Sequence, residues 1–310
     1  MSTKSIAKPV LTGLGLLTAA GLVMPLTQAD AGDDAFSALP GELVLTGMVR
    51  DFAEPGESNG HTDFERRPDG GFGHYTGNVA LELDEAGKPV FVGGGTKIRS
   101  QAEDADGRPI APHLAENAFD SYQYGDREAS TSGTWNGGIE SAESFHQWFR
   151  DVPGVNMTKS LNITLKRQPN SNVYVFDDRS DPDYSGLGGF FPINNELFGN
   201  SDGENKNFHF TFELATEFRY EKGQGHVFTF RGDDDVWVFI DGKLVIDIGG
   251  VHSAVEQTID LDRLAWLEDG ETYSLHFFFA ERHRTQSNFR IETTLNLRTA
   301  ELPNSSHLYD

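Results

Sequence analysis

The sequence predicts an all-β fold: an antiparallel β-sandwich with long loop insertions and one short helix. Three observations carry this. The C-terminal half is a series of short runs in which apolar residues recur with period two. Two such runs, residues 236–240 and 243–248, flank Asp241-Gly242, and an Asp-Gly pair between β-branched runs marks a type I′ hairpin, whose central residues both need φ > 0. The 34 Gly and 13 Pro punctuate the chain densely, as all-β proteins require.

The elements follow in chain order. Lys4 and Lys8 precede an apolar stretch over residues 10–26, and Ala29-Asp30-Ala31 offers a small-x-small cleavage site. That order predicts a secretory signal peptide over 1–31, cleaved after Ala31. A membrane anchor is the weaker alternative, because Gly13, Gly15, Gly21 and Pro25 interrupt a short stretch. Residues 32–41 are expected to be a flexible N-terminus, 42–298 the folded domain and 299–310 a tail. Strands are predicted at 42–50 and 78–83, the second followed by a turn at 84–87. Residues 101–138, rich in Asp, Gly, Ser and Pro and without periodicity, read as a long surface insertion. Phe145, Trp148, Phe149 and Val152 fall at i, i+3, i+4 and i+7, which predicts a helix stopped by Pro153-Gly154, its aromatic stripe facing the core. Further strands are predicted at 208–214, 227–230, 273–279 and 289–297. Trp237 and Phe239 alternate with Val236 and Val238 on two apolar faces, so packing is their expected role.

Composition narrows the function. With 25 basic against 48 acidic residues the formal charge is −23, so nucleic acid is not an expected partner. After signal removal no segment is apolar enough for membrane insertion. The absence of Cys excludes disulfide scaffolds, thiolate metal sites and cysteine nucleophiles. An exported chain without cysteine points to a bacterial source. No His-Glu-x-x-His helix or phosphate-binding glycine loop is present, and no catalytic constellation stands out, so an enzyme is not expected.

The chemistry concentrates at Gly232-Asp233-Asp234-Asp235, between two strands. Three adjacent carboxylates repel one another. Two readings stand side by side: a solvated loop tip, or a hard-cation site in which clustered carboxylates give Ca²⁺ charge and ligands. Glu281 and Asn288 bracket a second loop that would add oxygens if the sandwich brings both loops to one end. His252, Glu281 and His283 are either hydrogen-bonded turn and edge residues or a His/Glu transition-metal site, and Arg282 is placed to neutralise charge. The acidic runs 104–107 and 177–183 lack full calcium-loop spacing and read as solvated loops. Trp135, in the Gly-rich stretch 132–138, is the candidate for an exposed aromatic that stacks on sugar.

The segments 230–252 and 279–291 resemble the fibro-slime domain family, a branch of the protective-antigen 14-kDa (PA-14) β-sandwich superfamily. Weaker likeness extends through Gly189-Phe-Phe-Pro192, His61-Thr-Asp-Phe-Glu65 and Gly47-Met-Val-Arg-Asp-Phe52. The resemblance implies a PA-14-like sandwich in a secreted or cell-surface recognition module. In carbohydrate-binding adhesins of that superfamily, two consecutive aspartates joined by a cis peptide bind Ca²⁺, which contacts vicinal sugar hydroxyls, with an Asn from a second loop. Carried over, this makes Asp233 and Asp234 the pair and Asn288 the Asn; Asp235, Glu281, His252, His283 and Arg282, by their nearness in the sequence to these loops, are candidates for further ligands or supports. The implied partner is an extracellular glycan or matrix component. The alternative is a slime or matrix structural protein in which Ca²⁺ is only a clip.

Overall fold

A computed structural model describes residues 34–300; residues 1–33, which include the expected signal peptide, and the end of the tail, 301–310, lie outside the described residues. Eleven strands form one antiparallel sheet, ten of them along one continuous path: β1 (Glu42–Phe52), β2 (Asn156–Arg167), β3 (Tyr174–Asp177), β4 (Phe210–Arg219), β5 (Val227–Gly232), β6 (Asp235–Ile240), β7 (Lys243–Ile248), β8 (Val255–Asp260), β9 (Thr272–Glu281) and β10 (Phe289–Thr293). Their order is β7-β6-β9-β4-β1-β2-β3-β10-β5-β8. The sheet folds over on itself. Phe230 of β5 meets Phe277 of β9 with ring centroids 5.4 Å apart, although five strands (β4, β1, β2, β3 and β10) separate β5 from β9 along the sheet path. The two halves thus enclose one core in which Val236, Val238, Phe277, Phe279, Phe230, Phe289 and Ile291 are buried.

The β6–β7 hairpin turns as expected, with Asp241 and Gly242 at φ of 53° and 74°. Trp237, Phe239 and Phe278 sit on the outer face of β6 and β9, where they form a second apolar layer with Val79, Ile139, Phe145, Trp148 and Phe149. The long segment between β1 and β2 covers this face, which is why β6 is apolar on both sides.

Several expectations are corrected. The helix is a short α1 (Ala142–His146), begun by a Ser141/Ser144 capping box. Beyond it the Asn156 amide bonds the carbonyls of Gln147 and Arg150 and takes over from the helical ladder. The stripe holds regardless: Phe145, Trp148 and Phe149 are buried. Residues 78–83 form only an irregular hairpin, joined by the Val79–Phe91 bridge, because half of its exposed positions are apolar and the segment is anchored through Leu83 N–H to the Gly242 carbonyl. The 101–138 stretch is no mere surface loop: Ala102, Ile110, Ala111 and Leu114 are buried in the main core. Nor is the N-terminal approach loose, since Asp34 pairs with Arg167 at 2.6 Å and the Pro40 carbonyl accepts from Tyr174. At the other end Arg298–Thr299 pairs with β4.

One buried ion pair ties the covering segment to the sheet. Arg282, just beyond β9, donates from Nε and Nη2 to the Asp235 carboxylate at 2.5 and 3.2 Å. Its remaining N–H groups reach the carbonyls of Asp63, Gly138 and Gly137 at 3.3, 3.2 and 2.7 Å, and its guanidinium lies 5.2 Å from the Trp148 ring centroid. Removing one partner of a buried pair strands the other charge. Arg282→Met is therefore expected to destabilise the chain by about 3–5 kcal/mol, roughly 10 °C in Tm. A thermal melt of that variant overlaying the wild type would show that the pair holds nothing together.

Candidate functional site

The Asp turn joins β5 to β6 at one end of the sandwich. Backbone register sets Gly232 against Phe289 and Asp235 against Ala280, so the second loop, between β9 and β10, comes to the same end as expected. Gly232 is required there: a Cβ would stand 2.1 Å from the Asn288 carbonyl. The Asp233–Asp234 peptide is cis, as the resemblance implies.

Strand alternation then sorts the acids. Asp235 and Arg282 lie on the outer-layer side with Trp237 and Phe278, and each satisfies the other. Asp235 also accepts from Gly250 N–H at 2.6 Å, so it is engaged and adds no free oxygen. Glu281 takes the opposite side, in line with Phe279. It is fully buried, and neither carboxylate oxygen has a hydrogen-bond partner. Asp234, also buried, accepts only two long backbone bonds, from His252 and Arg282 N–H at 3.4 Å each. Asp233 is clamped by Asn288, whose backbone N–H and side-chain Nδ2 donate to its two oxygens at 2.6 and 2.8 Å. Asn288 thus turns its amide nitrogen to Asp233 and its oxygen to Arg179; to ligate an ion it would have to turn over.

Burial dominates the electrostatics. It pushes the Asp233 carboxyl up against the hydrogen bonds of Asn288. It raises Asp234 well above the ordinary carboxylate range, with Arg282 opposing and Asp235 and Asp233 adding to the rise. Glu281 is raised well above that range by burial and by Asp234 and Asp233. A carboxylate with both oxygens unpartnered in a buried site is the condition a cation relieves. Among the described residues, no three acidic, imidazole or thiol side chains converge as a metal site on their own. An ion beside Asp233 and Asp234 would therefore need backbone or ligand oxygens too, which suits Ca²⁺ with its six to eight oxygen ligands. The same observation removes the transition-metal grouping of His252, Glu281 and His283. His252 and His283 instead hold the Ser253 and Arg284 carbonyls through Nδ1 at 2.9 and 2.6 Å, while Glu281 faces the core side.

A cleft of about 230 Å³ opens over Asp234, walled by Phe72, His252, His283, Arg284 and Gln286. Phe72 is 47% exposed, its ring 4.9 Å from that of His283. Sequence reasoning passed over it, although an aromatic in Gly70-Gly71-Phe72-Gly73 has few neighbours to bury it. Trp135, the aromatic chosen instead, is half-buried rather than exposed. It packs so closely that a Cβ on Gly70 or Gly133 would come within 2.5 or 2.6 Å of its ring, and it does not line the cleft. The acidic runs are internally satisfied: Asp104 by Arg108 and two backbone N–H groups, Asp177 by Arg290.

Two pentapeptides carry the Gly-x-Ser-x-Gly spelling of a serine-nucleophile turn. Ser58 lies on an exposed turn with no helix after it. Ser201 heads a hydrogen-bonded chain to His209 Nδ1 at 3.2 Å and from His209 Nε2 to Glu65 at 2.9 Å. Its hydroxyl is pinned by Phe208 N–H at 3.0 Å and the residue is only 5% exposed, so this chain fastens the loop before β4.

Fold and site together define an all-β antiparallel protein whose second half carries a paired-aspartate turn at a sheet end. Residues 192–305 match the PA14 domain family model, and that span contains the Asp turn and the second loop. Protein psiQ of Dictyostelium discoideum is 40% identical over 172 residues, 51% of this chain and 16% of that protein. Protein psiJ is 36% identical over 187 residues, 57% and 25%, and protein psiD 37% over 194 residues, 60% and 36%, both from the same organism. The chain spans at most about a third of the length of these relatives, and they lend no support to a bacterial source. The PA14 domain of the MpAFP antifreeze protein aligns with 34% of this chain and 60% of its own at 12% identity and a TM-score of 0.24.

Because the Asp233, Asp234 and Glu281 carboxyls are raised, they hold protons more tightly in the folded chain than when unfolded. A bound cation must displace those protons, so its binding strengthens as pH rises and weakens as pH falls. Calcium titrations near pH 6 in two buffers of different ionisation enthalpy are expected to report net proton release. Equal heats in the two buffers would mean that no protonated carboxyl is being displaced.

Proposed function

We propose that this chain is a calcium-dependent carbohydrate-binding and adhesion module of the fibro-slime branch, exported by its N-terminal segment and acting by binding rather than catalysis. The observation that carries the reading is the buried Asp234 carboxylate that lines the cleft, with Asp233 next to it and only two long backbone hydrogen bonds to offset its charge. Asp233 and Asp234 would hold the ion, with Asn288 and Glu281 beside them. Bound there, Ca²⁺ would supply a hard Lewis acid for sugar hydroxyls. The chain's own walls suit the rest of a sugar. Phe72 offers an apolar face, and Arg284 and Gln286 offer hydrogen-bond donors in the same cleft.

A second reading draws on the near-complete burial of Asp234 and Glu281: the ion is a structural clip in a matrix protein and meets no sugar. One pair of measurements separates the two. Thermal melts of the purified chain in excess Ca²⁺ and in chelator are expected to differ by several degrees, and Asp233→Asn is expected to abolish the difference. A glycan array probed with and without chelator should then show calcium-dependent retention. A melting shift without retention supports the clip, and no shift in the wild type removes the ion from both readings.

A further inference from the structure

Outside the acidic turn, two histidines share a feature that their hydrogen bonds define. His74 belongs to the covering segment, ahead of the residues that match the PA14 family, and His252 follows β7. Backbone bonds hold the two stretches together: Gly73 N–H to the Val251 carbonyl at 2.7 Å, Tyr75 N–H to the Gly249 carbonyl at 2.6 Å, and Gly249 N–H back to Tyr75 at 2.8 Å. The two rings consequently meet edge to face with centroids 5.7 Å apart.

Each ring uses one nitrogen on a backbone carbonyl. His74 Nε2 reaches the Asp247 carbonyl at 3.0 Å, and His252 Nδ1 reaches that of Ser253 at 2.9 Å. A carbonyl oxygen only accepts, so those nitrogens carry the protons and the opposite ones carry bare lone pairs. Those opposite nitrogens, His74 Nδ1 and His252 Nε2, are both buried and both without a hydrogen-bond partner. His74 is only 7% exposed. Two buried acceptors on neighbouring rings, neither with a donor, leave polar groups unsatisfied, and each imidazole is already fixed in orientation and tautomer by its carbonyl, as metal-binding histidines are.

We propose that His74 and His252 form a nitrogen-donor site for a borderline divalent cation, with Zn²⁺ the first candidate, at the side of the cleft that His252 lines. Imidazole nitrogens favour zinc, copper and nickel over calcium. Two imidazoles bound through nitrogen to one tetrahedral zinc have ring centres roughly 5–6 Å apart, which matches the separation of these two. With only two protein ligands, the other positions fall to water or to an oxygen of whatever occupies the cleft. The site differs in donor chemistry from the Asp233–Asp234 position and stands whether or not that position holds calcium.

The test is calorimetric titration of the untagged full chain with zinc chloride in the presence of excess calcium, which keeps the carboxylate position occupied. His74→Gln keeps a donor for the Asp247 carbonyl and deletes the free nitrogen; His252→Asn does the same for the Ser253 carbonyl. Expected are one zinc per wild-type chain and a loss of affinity of roughly tenfold or more in each variant, with metal-free melting temperatures close to the wild type. Absence of zinc binding by the wild type overturns the proposal, as does undiminished binding in either folded variant.

Discussion

The guanidinium of Arg282 fixes the electrostatics of the whole sheet end. Fully buried, it neutralises Asp235 and fills three backbone carbonyls of the covering segment. A lone cation of this kind can compensate one carboxylate through direct hydrogen bonds. Its other acidic neighbours receive at most its field, or a single backbone N–H in the case of Asp234. The burial that makes the pair strong therefore also makes the remaining acids costly. Asp234 and Glu281 sit in the same low-dielectric corner with little to offset their charge. The excess negative charge there is a consequence of where Arg282 is spent.

Alternation along the strands decides which acid belongs to which role. Asp235 and Arg282 follow the parity of Trp237 and Phe278 into the outer layer, whereas Glu281 follows Phe279 toward the inner core. Neighbouring residues with the same chemistry are thus separated by a sheet's thickness. Asp233, at the turn, is held by Asn288 across a gap that a side chain on Gly232 would close. A sequence of three aspartates becomes one structural anchor, one clamped acid and one nearly bare acid.

Much of this was legible beforehand. The β6–β7 hairpin and strands β4, β5, β9 and β10 carried their period-two signal because one or both faces are buried, whereas β8 went unread. That Asp233, Asp234 and Asn288 meet at one end was left open by the sequence and is supplied by the β5–β10 and β6–β9 registers. Strand β2 was legible but unread: Leu161, Ile163 and Leu165 alternate with polar residues, and Ile163 and Leu165 are buried. The 101–138 stretch was harder, since its core residues come from irregular chain and leave no period. Arg282 stood out as a charge neutraliser, but Asp235 could not be singled out as its partner, because the two lie 47 residues apart and only the β6–β9 register brings them near. Trp135 and Phe72 exchanged roles for a similar reason: both sit among glycines, and only the fold shows which has neighbours.

The cleft is consequently a composite. Asp234, His252 and the loop of His283 to Gln286 come from the part of the chain that matches the PA14 family. Phe72 comes from the segment between β1 and β2 that wraps the outer face, and His74 in that segment packs its ring against His252 at the cleft's side. Arg282 couples these sources, because the carbonyls it holds at Asp63, Gly137 and Gly138 belong to the wrapping segment. The family portion alone would present an acidic turn with one open flank. The wrapping segment closes that flank with an exposed aromatic and buries the carboxylates from the outer side, and both the shape of the cleft and the charge at its floor depend on its being in place.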